Sequence, residues 1–521
     1  MRGADHLVQS LAAAGVNRIF ALSGNQIMPI FDACLDAGIA LIHTRHEGAA
    51  VFMAEAYAQL TGEVGVALVT AGGGLANSVG ALASAQASNT PVLLLSGDSP
   101  RRQDGIGAFQ EMDQVAITRA VTKLSFRSEG AETLASDVQQ ALGMAWQGQP
   151  GPVHLALPFD AVNGAVEGAA RPAVDLTSDG AGVDPEDVAA VRAIMAHAAR
   201  PVVLLGPALT PTRQPGLALD VAGALGAPVY AMESPRGLRD PALGRIGEVV
   251  AQADLVVCLG KRVDFTLGFG AGEAEWITVS ADAVDHAMAA GNLGARHRAG
   301  VVAPALSMAR ALCDGAVAPA RAEWCAEAAA LTGERPEVGD GLTSATLCAA
   351  VQDVVGACDE SVVVCDGGEF GQWAQALTCG TSRVINGVSG AIGAGLPYAM
   401  AAAAARPDAT VFALSGDGSI GFHLAEFETA VRHGLAFVMV IGNDQRWNAE
   451  RQIQLRDYGE DRLSGCGLTA ARYDLAAEAM GAHGAFVTEA AELRPALERA
   501  VASGKPACVN VMIEGLPAPV V

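Results

Sequence analysis

Aromatic residues are scarce: they make up 5% of this 521-residue chain, with five Trp and five Tyr. They do not alternate with basic residues as a base-stacking platform would, which argues against nucleic acid as a ligand. Positive charge is scarce too. Lys and Arg total 33 against 56 Asp and Glu, a formal net charge of −23, so neither nucleic acid nor an anionic membrane finds the cations it needs. The ten Cys contain no CxxC pair, and with the ten His they show no zinc spacing. In a chain of this size they read as reduced, mostly buried side chains. Motifs of the HExxH, GxSxG and Walker types are absent. The uncharged run 387–405 is broken by four Gly and Pro397, so a packed loop and helix suit it better than a membrane span. The opening MRGADHLVQSLAAAG reads as an amphipathic helix carrying Asp5 and His6 rather than as a signal peptide. The expectation is a soluble, cytoplasmic protein.

Apolar residues are abundant. A hydrophobic fraction of 51% with only 17% charged residues excludes a disordered chain and fills large cores. The length suits about three domains. Short apolar runs (NRIFAL, ALIHTR, GVALVT, PVLLLS) alternate with helical patterns such as EGAAVFMAEAYAQL. Continuous Val/Leu/Ile runs without polar alternation mark strands buried on both faces, hence parallel sheets between helices. The theme returns in SVVVCD, SRVING, TVFALSG, AFVMVIGND, GAFVT and ACVNVMIE, and a third set (PVVLLGPAL, PVYAM, LVVCLG, WITVSA) lies between. The expected architecture is α/β, with three parallel-sheet domains over 1–165, 188–315 and 340–521. Seams fall at 163–186 and 317–341, rich in Ala, Gly and Pro with charges.

The sharpest chemical signal is in the last domain. Strand TVFALS runs into Gly416-Asp417-Gly418-Ser419, and the next strand ends at Asn443. Both polar residues then stand at the carboxyl edge of a parallel sheet, where ligands bind. A carboxylate between glycines, with a second side-chain oxygen, suits a hard ion such as Mg²⁺ and a phosphate; a tight turn after a strand is the plain alternative. Glu47 opens an apolar helix directly after a strand, either as a general acid–base or as a helix-start carboxylate favoured by the dipole. Ala71-Gly72-Gly73-Gly74 lacks the GxGxxG spacing of a dinucleotide site. Gln110, in GAFQEMDQV, lies on an expected loop, where a solvated amide is the default.

The order RHE, TAGGG, FQE, GDG, N resembles the thiamine-diphosphate enzymes of the acetolactate synthase type, and the resemblance covers essentially the whole chain. RHEGAAVFMAEAYAQLTGEVGVALVTAGGG is similar to the family's pyrimidine-binding domain, and GDGSIGFHLAEFETAVRHGLAFVMVIGND to its diphosphate-binding domain. The first of these stretches, with LGKRVDFTLGFG and RYDLAAEAMGAHGAFVTEAAELRPALERAVASGKPACVNVMIE, looks closest to benzaldehyde lyase and 2-hydroxyacyl-CoA lyase. The resemblance implies thiamine diphosphate and Mg²⁺, the metal held by Asp417, Asn443 and the main-chain carbonyl of Gln445. It implies that Glu47 hydrogen-bonds the aminopyrimidine, that Ile392 wedges between the two cofactor rings, and that the Gly390 carbonyl accepts from the amino group. Gly368, Glu369 and Phe370, in DGGEFGQW, match the stretch that touches the diphosphate, with Gly416, Gly418 and Ser419 beside it. Phe109 and Gln110 match residues that face the substrate. The activity implied is cleavage beside the carbonyl of a 2-oxo acid or acyloin, with transfer of the acyl fragment to a proton or a second carbonyl. The alternative is a 2-hydroxyacyl-CoA lyase or an oxalyl-CoA-type decarboxylase. In the family Glu47 and the GDG half come from different subunits, so a homodimer is implied, paired into a homotetramer.

Departures from the family pattern are few. Ser23-Gly24-Asn25-Gln26 replaces a Pro-Gly-Gly-Ala turn, and Gln26 falls where benzaldehyde lyase has an active-site His, so a neutral amide would orient rather than titrate. Asp444, Gln445 and Arg446 replace an Asn-rich, Gly-containing continuation. The sequence ends soon after MIEGLPAPVV, without the longer segment that closes over CoA in several relatives. FAD is not expected in the central domain; ADP or CoA could be met there by Arg236, Lys261 and Arg262.

Overall fold

The computed structural model describes residues 1–168, 182–315 and 321–520, so residues 169–181 and 317–320 of the two expected seams lie outside the described residues. Three all-parallel sheets organise the chain. The first contains β1 (Arg18–Ala21), β2 (Ala40–His43), β3 (Gly65–Val69), β4 (Val92–Asp98), β5 (Leu124–Arg127) and β6 (Val153–Pro158), in the order β2-β1-β3-β4-β6-β5. The middle sheet contains β7 (Pro201–Leu205), β8 (Val229–Ala231), β9 (Leu255–Leu259), β10 (Glu275–Ser280) and β11 (His297–Val302), in the order β11-β10-β9-β7-β8. The third contains β12 (Ser361–Cys365), β13 (Ser382–Ile385), β14 (Thr410–Gly416), β15 (Phe437–Asn443), β16 (His483–Val487) and β17 (Pro506–Met512). Its order, β13-β12-β14-β15-β17-β16, repeats that of the first sheet strand for strand.

The interior strands β3, β4, β6, β7, β9, β12 and β17 carry buried residues almost throughout, as helices on both faces require. The six edge strands are only partly buried. The sequence pattern does not single out β5, β6 and β11. Two of these are mixed-polarity edges; β6 is interrupted by His154, whose ring is buried among Ser96, Thr118 and Ser125 and whose pKa burial lowers to about 3. The run at 387–405 is a turn followed by the helix Gly395–Ala405, and among the described residues no helix is long and apolar enough to cross a membrane. All ten cysteines are unpaired.

Helix Glu47–Thr61 of the first domain and helix Gly395–Ala405 of the third share one core. Both are rich in Ala, which lets their backbones approach, and the contact is sealed by Phe52 edge-on to Tyr398 at 5.7 Å. Tyr398 donates to the buried Glu55 carboxylate at 2.7 Å. This packing sets the carboxyl edges of the first and third sheets relative to one another within a chain.

Candidate active site

In the third sheet the strand order reverses between β12 and β14, the topological position at which open α/β sheets bind ligands. A cavity lies at that edge. Gly368, Glu369 and Phe370 line it from the turn after β12, Ile392 from the loop before helix Gly395–Ala405, and Gly416, Asp417, Gly418 and Ser419 from the turn after β14. These eight residues are brought together at one edge. Gly368 sits at φ +83°, a left-handed value that favours glycine, and begins the helix Gly368–Leu377, whose first residues line the cavity; free amides at a helix start suit an anion. Gly418 is pressed against Trp447, whose ring carbons would lie 2.6 Å from an added Cβ.

Asp417 is 2% exposed, and its Oδ2 has no hydrogen-bond partner among the described residues. Burial, then the neighbouring Asp444, pushes its pKa up to about 7. Asp444 is also buried, and burial pushes its pKa up to about 6. Two buried carboxyls at one edge, one of them with an orphaned oxygen, are the donor set a hard cation takes. Asp444 and Arg446 line the cavity; Asn443 and Gln445 do not. The Asn443 amide donates to the Ala471 carbonyl and to Asn510, while its Oδ1 is buried without a partner. The Gln445 carbonyl accepts from the Leu468 N–H at 2.7 Å. Gly390, at φ +68°, lies just outside the lining residues.

Sequence reasoning misses Asp366, which organises the whole edge. Its Oδ1 accepts from the N–H groups of Gly367 and Gly393, and its Oδ2 from the Gly395 N–H and the Ser415 hydroxyl. One buried carboxylate thus ties the turn after β12 to the Ile392 loop and to β14. The signal available was an acidic residue at the end of a continuous apolar strand. Asp366→Ala leaves three buried N–H groups without an acceptor and the Ser415 hydroxyl with the Gly416 carbonyl at 3.3 Å. It is expected to lower stability by about 3 kcal/mol, seen as a fall in the chemical denaturation midpoint; a loss below about 1 kcal/mol would contradict this role.

The first-domain residues form a second constellation. Glu47 begins helix Glu47–Thr61, is half-buried, and accepts from Asn77 Nδ2 at 3.0 Å. The turn before it is gripped from the third domain: Glu426 accepts from the N–H groups of Arg45 and His46. Gln26, at the carboxyl edge of the first sheet, donates to Gln110 Oε1 at 2.9 Å and accepts from the Thr70 hydroxyl at 2.7 Å. Gln110 holds φ +61°, a strained value for a side-chain-bearing residue and a mark of functional loops. Phe109 beside it is 73% exposed. None of Glu47, Gln26 and Gln110 lines the third-domain cavity. Of the basic residues noted in the middle domain, Lys261 is buried and donates to Thr266, Arg262 pairs with Asp285, and Arg236 lies near Glu369 at the cavity.

Residues 1–117 match the family described as thiamine pyrophosphate enzyme, N-terminal TPP binding domain, and residues 366–511 its C-terminal TPP binding domain. The chain belongs to the thiamine pyrophosphate enzymes. It is therefore a thiamine-diphosphate-dependent enzyme. A probable acetolactate synthase of Mycobacterium bovis is 33% identical over 543 aligned positions, covering 98% of this chain and 95% of that protein. The 2-hydroxyacyl-CoA lyase 2 of Homo sapiens is 30% identical, covering 98% and 90%. The acetolactate synthase isozyme 2 large subunit of Escherichia coli is 29% identical, covering 99% and 96%.

Proposed function

We propose that this thiamine-diphosphate enzyme is a cytoplasmic, Mg²⁺-dependent carbon–carbon lyase or carboligase. It cleaves beside the carbonyl of a 2-oxo acid or acyloin and passes the acyl fragment to a proton or a second carbonyl. The observation that carries this reading is the division of the site. The orphaned Asp417 oxygen and the anion-binding helix start belong to the third domain, while Glu47 and the Gln26–Gln110 pair belong to the first and share no cavity with them. A second copy of the chain would supply the missing half, so the working unit is a homodimer, paired into a homotetramer.

Thiamine diphosphate, when bound, supplies an electron sink for the pair left when the bond beside the carbonyl breaks. The amides at the start of helix Gly368–Leu377, and the turn Gly416–Ser419, hold the diphosphate. Asp417 offers a carboxylate oxygen to Mg²⁺. Asp444 and the Arg446 carbonyl, which border the same cavity, would serve as further oxygens beside or in place of Asn443 and the Gln445 carbonyl, which the family resemblance implies. Ile392 would support the cofactor, and the Gly390 carbonyl would accept from its amino group. Glu47, steadied by Asn77, holds the proton exchanged at the aminopyrimidine. Gln26 and Gln110 are neutral amides, so they orient the substrate by hydrogen bonding and leave proton transfer to Glu47.

A second reading, a 2-hydroxyacyl-CoA lyase or oxalyl-CoA-type decarboxylase, is favoured by Arg236, whose charge reaches Glu369 and would meet the phosphates of a CoA tail. ADP or CoA in the middle domain belongs to that reading. The test is product analysis with the holoenzyme and three donors: pyruvate, a benzoin-type acyloin and a 2-hydroxyacyl-CoA. Carbon dioxide from pyruvate, or aldehyde from the acyloin, is the expected result. Cleavage of the thioester alone would replace the first reading with the second.

A further inference from the structure

We propose that Asp417 and Asp444 form a dicarboxylate seat that takes a divalent cation by itself, before any diphosphate arrives. The inference rests on the reading above that a cation is bound at this edge, and it adds an order of binding set by this chain's own residues. β14 and β15 are adjacent and parallel, with Gly416 paired to Gly442, so the residues just beyond the two strands are neighbours. Asp417 and Asp444 both line the cavity there, at 2% and 6% exposure. When both are ionised, each is an acceptor only and neither can satisfy the other.

The charge of Arg446 reaches Asp444, but not through an ion pair. Neither carboxylate takes part in an ion pair among the described residues, and Arg446, the nearest cation in sequence, donates through Nε to the main-chain carbonyl of Asp444 at 2.8 Å instead. The Oδ2 of Asp417 is buried without a partner. The main chain adds an oxygen. The Gln445 carbonyl is occupied by the Leu468 N–H and the Trp447 N–H goes to the Cys466 carbonyl, which leaves the Arg446 carbonyl between them without a main-chain donor. Space for the second carboxylate depends on Gly515, where an added Cβ would fall 1.9 Å from Asp444 Oδ2.

Charge counting separates this seat from one built of a carboxylate and an amide. With Asp and Asn, a divalent ion keeps one uncompensated positive charge, which a phosphate must neutralise. With two carboxylates the ion is neutralised by the protein alone, so it binds without phosphate. All-oxygen donors select Mg²⁺, Mn²⁺ or Ca²⁺, and affinity at such sites rises with the number of charged ligands.

The test is calorimetric titration of Mn²⁺ into full-length protein stripped of metal and cofactor, with and without thiamine diphosphate. The expected result is one Mn²⁺ per chain in both cases. Asp444→Asn should weaken binding without thiamine diphosphate by about tenfold or more, and binding with it by clearly less. Gly515→Val, which crowds the Asp444 carboxylate without touching its charge, should weaken metal-only binding in the same direction. Binding of Mn²⁺ only when thiamine diphosphate is present, or equal metal-only affinity in wild type and Asp444→Asn, would overturn the inference and leave the proposed function standing. No Mn²⁺ binding under either condition would overturn both.

Discussion

Glu47→Gln is expected to lower turnover by about 10²–10⁴-fold, the usual worth of a positioned acid–base group, while thiamine diphosphate affinity and the folded structure stay close to wild type. The expectation comes from how the residue is held. Glu47 stands at the start of a helix whose entry turn is fixed by Glu426 through the Arg45 and His46 amides, and its carboxylate accepts from Asn77. A Gln side chain has the same shape, and its oxygen can accept the same Asn77 N–H. What it cannot do is exchange a proton near neutral pH. Loss of turnover without loss of cofactor binding would therefore isolate proton handling from packing. A variant retaining turnover within about tenfold would remove Glu47 from the acid–base role.

The parts of this molecule that are legible in its sequence are those with local signatures. Continuous apolar strands ending in glycine turns reveal the three sheets, and the turns Gly367–Phe370 and Gly416–Ser419 bring out most of the third-domain cavity. Edge strands such as β5 and β11 are less visible because one side meets solvent and the apolar run breaks down. Asp366 escapes notice because three of the four donors on its carboxylate lie 27 to 49 residues away, on separate elements. Glu426 escapes because the amides it holds lie 380 and 381 residues back. The step from Asn443 to Asp444 has a more local cause. At the end of β15 successive side chains point to opposite sides, and spacing alone does not tell which of two adjacent polar residues faces the cavity. Asn443 Nδ2 goes to Ala471 and Asn510 while its Oδ1 finds no partner among the described residues, and Asp444 lines the cavity.

Asp417→Ala is expected to raise the dissociation constant for thiamine diphosphate in the presence of Mg²⁺ by about 100-fold or more, the affinity that goes with losing a metal ligand and its charge. The metal-free variant, by contrast, should melt at or above the temperature of metal-free wild type. Asp417 is a buried carboxylate with one unpartnered oxygen, and removing such a group relieves the cost of keeping charge from water. The two changes have opposite signs only if the residue is kept for the cation and not for the fold. A structural carboxylate behaves as Asp366 does: four donors surround it, and its loss costs stability with or without metal. Calorimetry and thermal unfolding on the same Asp417→Ala preparation separate the cases. Unchanged cofactor affinity would remove Asp417 from the metal seat, and a large drop in metal-free melting temperature would make it a structural residue.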